Sequence, residues 1–435
     1  MKYQPGESLI LYKGWITQMG QTIVEKILSR NYGASVFAGD EKTFSPDIIT
    51  AYDFPGYVDK YEEQMNELGI TQVQNPEKYV LFIDHFYPAG TPKQQQVHEI
   101  TRRFAKNYGF SLYEGKGIGH QVISELGYVK PGRLIVHFDG HISTIGALGA
   151  MGIGIRNGMI EAFATQRMSL VVPSTVRIEL KGKLERGVTS RDVFHSNVEK
   201  IGPAGCRSSM IEYGGEGLKS LNMDERMTLC NLAMFLGGVS AVMETDETTY
   251  NYLRDHGHAD DYRDIYPDSD ATYAKTVTIN LDEVEPVVVA PPSPANTVKI
   301  SEVIGTPIQV GYIGSCASGR VKDFQQAVEI LENKQILDGF RLYAVPTSNK
   351  IQSEMTKLGL SQTLIDAGAL LSFPSCDFCI GQMGALVEGE NAMTTGTLNI
   401  PGRMGSNKAN IFTGSPYSIA AASITGKITD PRTLF

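Results

Sequence analysis

Four apolar runs, each closing on a cluster of chemically competent polar residues, constrain the fold of this 435-residue chain more than any other feature. They are YVLFIDH (79–85), RLIVHFDGH (133–141), IQVGYIGSC (308–316) and ALLSFPSCDFC (369–379). Short runs of this kind read as strands buried on both faces, the habit of parallel sheets, and open α/β sheets bind their ligands outside the carboxyl ends of the strands. The class is therefore α/β, with its chemistry in the loops that leave the strands. The 45 glycines, more than the roughly 7% background, suit loops that turn tightly.

After the third run, Val321, Phe324, Val328 and Leu331 fall on one face of a helix over 320–331. At 189–192 the residues TSRD predict a helix start, with Asp192 reaching back as a capping partner, and VVPSTVRIELKG (171–182) reads as a new strand. The stretch 285–300, EPVVVAPPSPANTVKI, is proline-rich and without helical or alternating periodicity, so it reads as a linker. A chain of this length exceeds one ordinary core. The division expected is 1–172, 173–284, the linker 285–300, and 301–435. There is no internal repeat.

The net charge of −9 is spread along the chain, and no basic stripe exists to neutralise a phosphate backbone, which excludes nucleic acid as a partner. The opening MKYQPGESLILYKG has only a short apolar run, and no stretch approaches the roughly 18 apolar residues of a membrane span. A cytoplasmic protein is expected. Five cysteines, an odd number, argue for reduced thiols and metal or redox use rather than a disulfide framework.

Cys376 and Cys379 form a CxxC just after one run, and Cys316 lies 60 positions upstream, just after another. If both strands share a sheet, the three sulfurs converge. A zinc site would want a fourth ligand, and no cysteine follows Cys379 and no histidine follows His258. A dithiol redox pair would leave Cys316 unexplained. A three-cysteine [4Fe-4S] cluster with one open iron accounts for all three, but spacing alone leaves these readings open. Cys206 and Cys230 lie outside such loops and read as small buried residues.

The segments GSCASGR (314–320), SCDFCIGQMG (375–384) and IPGRMG (400–405), with DGH (139–141) and IEYGGEG (211–217), resemble the aconitase and isopropylmalate isomerase superfamily in its large-subunit form. The likeness runs from about residue 80 to the C-terminus. It implies three α/β domains around a [4Fe-4S] cluster held by Cys316, Cys376 and Cys379. In the family a fourth, swivelling domain supplies a catalytic serine and carboxylate-binding arginines; it is not matched here, so a separate small subunit is expected to bring them. The resemblance also implies three acid/base pairs: Asp84 with His85, His120 with Asp139, and His141 with Glu212. A carboxylate beside an imidazole fixes its tautomer and raises its proton affinity, which suits a group that must protonate a departing hydroxide. His98, His137 and His195 match nothing and read as structural, and HGHADD (256–261) reads as an acidic loop.

Two departures bear on substrate. Gly140 stands where the family usually has a substrate-contacting serine, and Leu398 stands where an arginine is expected, while Arg403 is kept. An unpaired carboxylate in a site built for one costs about 2–5 kcal/mol, which argues against citrate. A hydro-lyase for a small or alkyl-substituted malate is expected, with Leu398 facing the alkyl group. Two further readings are an isopropylmalate or homoaconitate isomerase subunit, and a cluster-bearing iron or oxidation sensor without turnover.

Overall fold

The computed structural model describes residues 20–54 and 57–435. The N-terminal apolar run and the first 19 residues of the first expected domain lie outside them. Among the described residues the chain forms four sheets. A five-stranded parallel sheet runs, edge to edge, Ser111–Glu114, Tyr79–Ile83, Ile48–Tyr52, Leu134–His137 and Met151–Gly154. A four-stranded parallel sheet runs Ser240–Met243, Met210–Gly214, Thr175–Lys181 and Lys275–Asn280. A short antiparallel pair joins Glu41–Phe44 to Met168–Val171. One apolar core, reaching from Ile23 to Ala317, serves the five- and four-stranded sheets together, so packing is continuous across residue 172.

The remaining sheet has seven strands, in the order Thr297–Lys299, Val287–Val289, Asn410–Thr413, Asn391–Thr394, Val310–Ile313, Arg341–Ala344 and Leu370–Leu371. Its first two strands lie in the stretch expected to be a linker. They form an antiparallel hairpin added to the sheet edge, and Val287, Val288 and Val289 are buried. Proline at 286, 291, 292 and 294 sits outside the paired residues, where a missing N–H costs no ladder bond.

Three of the four apolar runs are the buried strands expected. The fourth is not: in 369–379 only Leu370–Leu371 pairs, on one side, and Leu370 is exposed at the sheet edge. Its apolar residues mark an edge and a loop rather than a central strand. The two expected helices are present as Ser190–Ile201 and Val321–Leu331. The first has the capping box: Asp192 accepts from Thr189 N at 2.8 Å, a contribution of about 1 kcal/mol. The second buries Phe324 and Leu331 against the seven-stranded sheet, with Val321 and Val328 half-buried beside them. No helix of the described residues is long and apolar enough to cross a membrane.

Candidate active site

The carboxyl ends of the five- and seven-stranded sheets open on one cavity of about 240 Å3. Asp84, His85, His120, Asp139 and His141 line it from one side, and Cys316, Cys376, Cys379, Leu398 and Arg403 from the other.

Asp84 and His85 follow Tyr79–Ile83 directly. His85 Nδ1 lies 2.7 Å from Asp84 Oδ1, and Asp84 Oδ2 accepts from Gly119 N at 2.7 Å. Asp53, at the end of the neighbouring strand, accepts from the backbone N–H of both Asp84 and His85 at 3.1 Å. Burial disfavours a charge on His85, but the negative charges of the Asp84 carboxylate and a Cys376 thiolate, with hydrogen bonds to Asp53 and Asp84, outweigh it and hold the imidazole well above its ordinary proton affinity.

Asp139 and His141 follow Leu134–His137 and form a tight local pair. Asp139 Oδ1 accepts from His141 N at 2.8 Å and lies 3.0 Å from His141 Nδ1. His120 Nε2 approaches the other oxygen to 3.9 Å. Burial opposes the Asp139 charge, but the two imidazoles keep its carboxyl well below the usual range. His141 Nε2 is buried and has no partner among the described residues.

Glu212 does not pair with His141. It sits inside the four-stranded sheet directly opposite Arg177 on the adjacent strand, and takes Arg177 Nη1 at 2.9 Å, Tyr273 OH at 2.6 Å and Ile23 N at 2.8 Å. Strand register hands this carboxylate to a guanidinium. His141 takes Asp139 instead because two residues of a turn bring them together.

The cysteines are set by braced loops. Ser315, at φ +74°, holds the left-handed region through its own hydroxyl, which bonds Thr395 O at 3.1 Å and accepts from Ala317 N, and this turn presents Cys316. Arg320 is fully buried and donates to Cys316 O at 2.6 Å; Arg191, also buried, donates to Thr395 O and Gly396 O behind Cys379. Cys379 Sγ accepts from Arg403 Nη2 at 3.4 Å. Burial raises the Cys379 thiol, but the charge of Arg403 and bonds from Thr397 win and bring it down to about 7. Cys316 is pushed well up by burial and by the other two sulfurs, and Cys376 is raised by burial.

Cys316 and Cys379 are buried and Cys376 half-buried, and three thiolates that repel one another suit a cationic centre between them. A [4Fe-4S] cluster takes one thiolate on each of three irons and leaves the fourth iron open, which fits a donor set of three cysteines lining one cavity.

Leu398 lines the cavity, and Gly140 does not. A Cβ at Gly140 would lie 2.6 Å from Met234 Cε, and Met234 is the side chain that reaches the cavity there. Sequence reasoning also passed over Tyr52, Asp53, His98 and His137. His98 Nε2 bonds His85 O at 2.9 Å and lies 3.1 Å from Asp53, and His137 Nδ1 accepts from Asp139 N at 2.8 Å. The run IITAYD (48–53) ends like the other four and was the available signal.

A family model described as "Aconitase family (aconitate hydratase)" matches residues 65–307 and 301–426. The 3-isopropylmalate dehydratase large subunit 1 of Methanopyrus kandleri is 37% identical over 95% of this chain and 99% of its own length. The methanogen homoaconitase large subunit of Methanocaldococcus jannaschii is 34% identical over 94% and 99%. Among solved structures, Thermococcus kodakaraensis aconitase X in its holo form matches with a TM-score of 0.49 at 12% identity, over 86% of this chain and 89% of that one.

Proposed function

This chain belongs to the aconitase family and is an aconitase-type hydro-lyase, and from that premise we propose that it carries a [4Fe-4S] cluster and acts on a small or alkyl-substituted 2-hydroxy dicarboxylic acid with a separate small subunit. The observation that carries the reading is the meeting of Cys316, Cys376 and Cys379 with two carboxylate–imidazole pairs and Arg403 around one cavity. Relatives named as large subunits support the separate partner, which would contribute the carbon-proton base.

When bound, such a cluster supplies a Lewis acid at its open iron. The chain's own residues do the rest. Arg403 lines the cavity and bonds Cys379 through its Nη2, and its guanidinium offers a further donor to a substrate carboxylate. His85 and His141 each keep one ring nitrogen on a carboxylate, which leaves the other to hold a proton for the departing hydroxyl oxygen. Leu398 and Met234 are apolar residues of the lining. Such lining favours an alkyl substituent over a third carboxylate, which would lie against it unpaired.

The reading is tested by purifying the chain anaerobically with its small subunit, determining iron and sulfide, and assaying citrate, isopropylmalate, citramalate and dimethylmalate. Four irons per chain and turnover of an alkylated malate are expected. A protein with zinc in place of iron, or one that prefers citrate, would overturn it.

A further inference from the structure

Tyr52 ends the middle strand of the five-stranded sheet and points into the cavity wall. Its ring is held on three sides: the centroids of His85, Phe138 and His137 lie 4.5, 4.7 and 4.9 Å away. Its hydroxyl donates to Asp139 Oδ2 at 2.6 Å. We propose that Tyr52 is a positioning residue of the acid/base machinery, fixing Asp139 so that this carboxylate serves His141 rather than being shared with His120.

The geometry gives the reason. Asp139 Oδ1 is fully used by the backbone and ring N–H of His141. Oδ2 is the only oxygen left, and His120 Nε2 stands 3.9 Å from it, too far for a hydrogen bond but near enough to close on it. The phenol occupies that oxygen first. The ring is packed against His85, Phe138 and His137, and its hydroxyl bonds the same oxygen that His120 approaches. Burial, then the charge of Asp139, push the Tyr52 phenol well above its ordinary range, so it remains a donor at all working pH. With Asp139 committed, His141 keeps its Nδ1 proton on the carboxylate and presents Nε2 to the cavity. Glu212, bound to Arg177, is no substitute.

The kinetic arm of this inference rests on the hydro-lyase reading, so a second arm does not. The variant Tyr52→Phe keeps the ring and deletes the donor. In the cluster-loaded complex with its small subunit, on the best substrate of the malate panel, kcat is expected to fall about tenfold or more with KM within threefold. Iron content and melting temperature should match the wild type. The alkaline limb of kcat should move up by about half a pH unit to one unit, because a carboxylate with one donor fewer holds the imidazolium more tightly. Independently of turnover, nitrogen-15 histidine spectra of the variant chain should show a His120 ring N–H hydrogen-bonded to Asp139 that the wild-type chain lacks. Unchanged kcat and pH profile would overturn the proposal. So would a rise in KM alone, which would make Tyr52 a substrate contact. If the wild-type complex turns over no hydroxy acid, the hydro-lyase reading fails by itself, and histidine spectra that show no new His120 hydrogen bond in the variant would then overturn this one.

Discussion

Replacing Glu212 by glutamine separates what family likeness implies from what the fold does with this residue. Glu212 is wholly buried and accepts three hydrogen bonds, from Arg177, Tyr273 and Ile23 N. Removing one partner of a buried ion pair costs about 3–5 kcal/mol when the other charge is left alone. Here Arg177 is not left alone: its Nε bonds Glu179 at 2.7 Å and its Nη2 bonds Glu244. Glutamine also keeps the shape and one acceptor oxygen. The expected loss is therefore about 2 kcal/mol, made of weakened charge-assisted bonds and one amide hydrogen facing a donor. Urea denaturation of the chain should show that loss, and kcat of the reconstituted complex should stay within about threefold of wild type. A drop of a hundredfold in kcat with stability unchanged would refute the reasoning and return Glu212 to His141.

Other outcomes follow from the same geometry. Leu398→Arg restores a cation to the cavity lining and should raise kcat/KM for citrate relative to an alkylated malate by about thirtyfold or more, the ratio that 2 kcal/mol gives; side-by-side kinetics check it. Gly140→Ser must displace Met234 Cε, so the single variant should lose kcat/KM for the alkylated malate, and Met234→Ala in the same chain should recover part of that loss. Asp246, half-buried beside the paired donors of Arg226 at 2.8 and 2.7 Å, has its carboxyl held down by that guanidinium against the opposing effect of burial. A depressed carboxyl stabilises the fold above its unfolded value near 4 and loses that contribution as pH falls through its folded value. The stability gap between wild type and Asp246→Asn, read by urea titration, should therefore be full at pH 6 and shrink toward pH 3.

What lies within a few residues was legible from the chain alone. The TSRD cap forms as written, because Thr189 and Asp192 meet within one helical turn. Asp84 and His85 stand where a buried strand gives way to a loop, and the CxxC of Cys376 and Cys379 lies in the loop that follows the edge strand. The convergence of Cys316 with that CxxC was inferable from two runs ending alike, and motif order supported it. Run 369–379 misled because apolar residues at a sheet edge and in a buried loop have the same composition as a central strand; pairing partners decide which it is.

Contacts between distant segments were decided by the tertiary structure. Glu212 lies opposite Arg177 through parallel strand register, which sequence spacing does not encode. Met234 fills the space beside Gly140 from another segment, and Tyr52 reaches Asp139 across adjacent strands. The chain by itself determined which residue types stand at the strand ends, since burial and turn chemistry are local. Which carboxylate serves which imidazole was left to packing, because a buried charge takes the nearest donor in space, not in sequence.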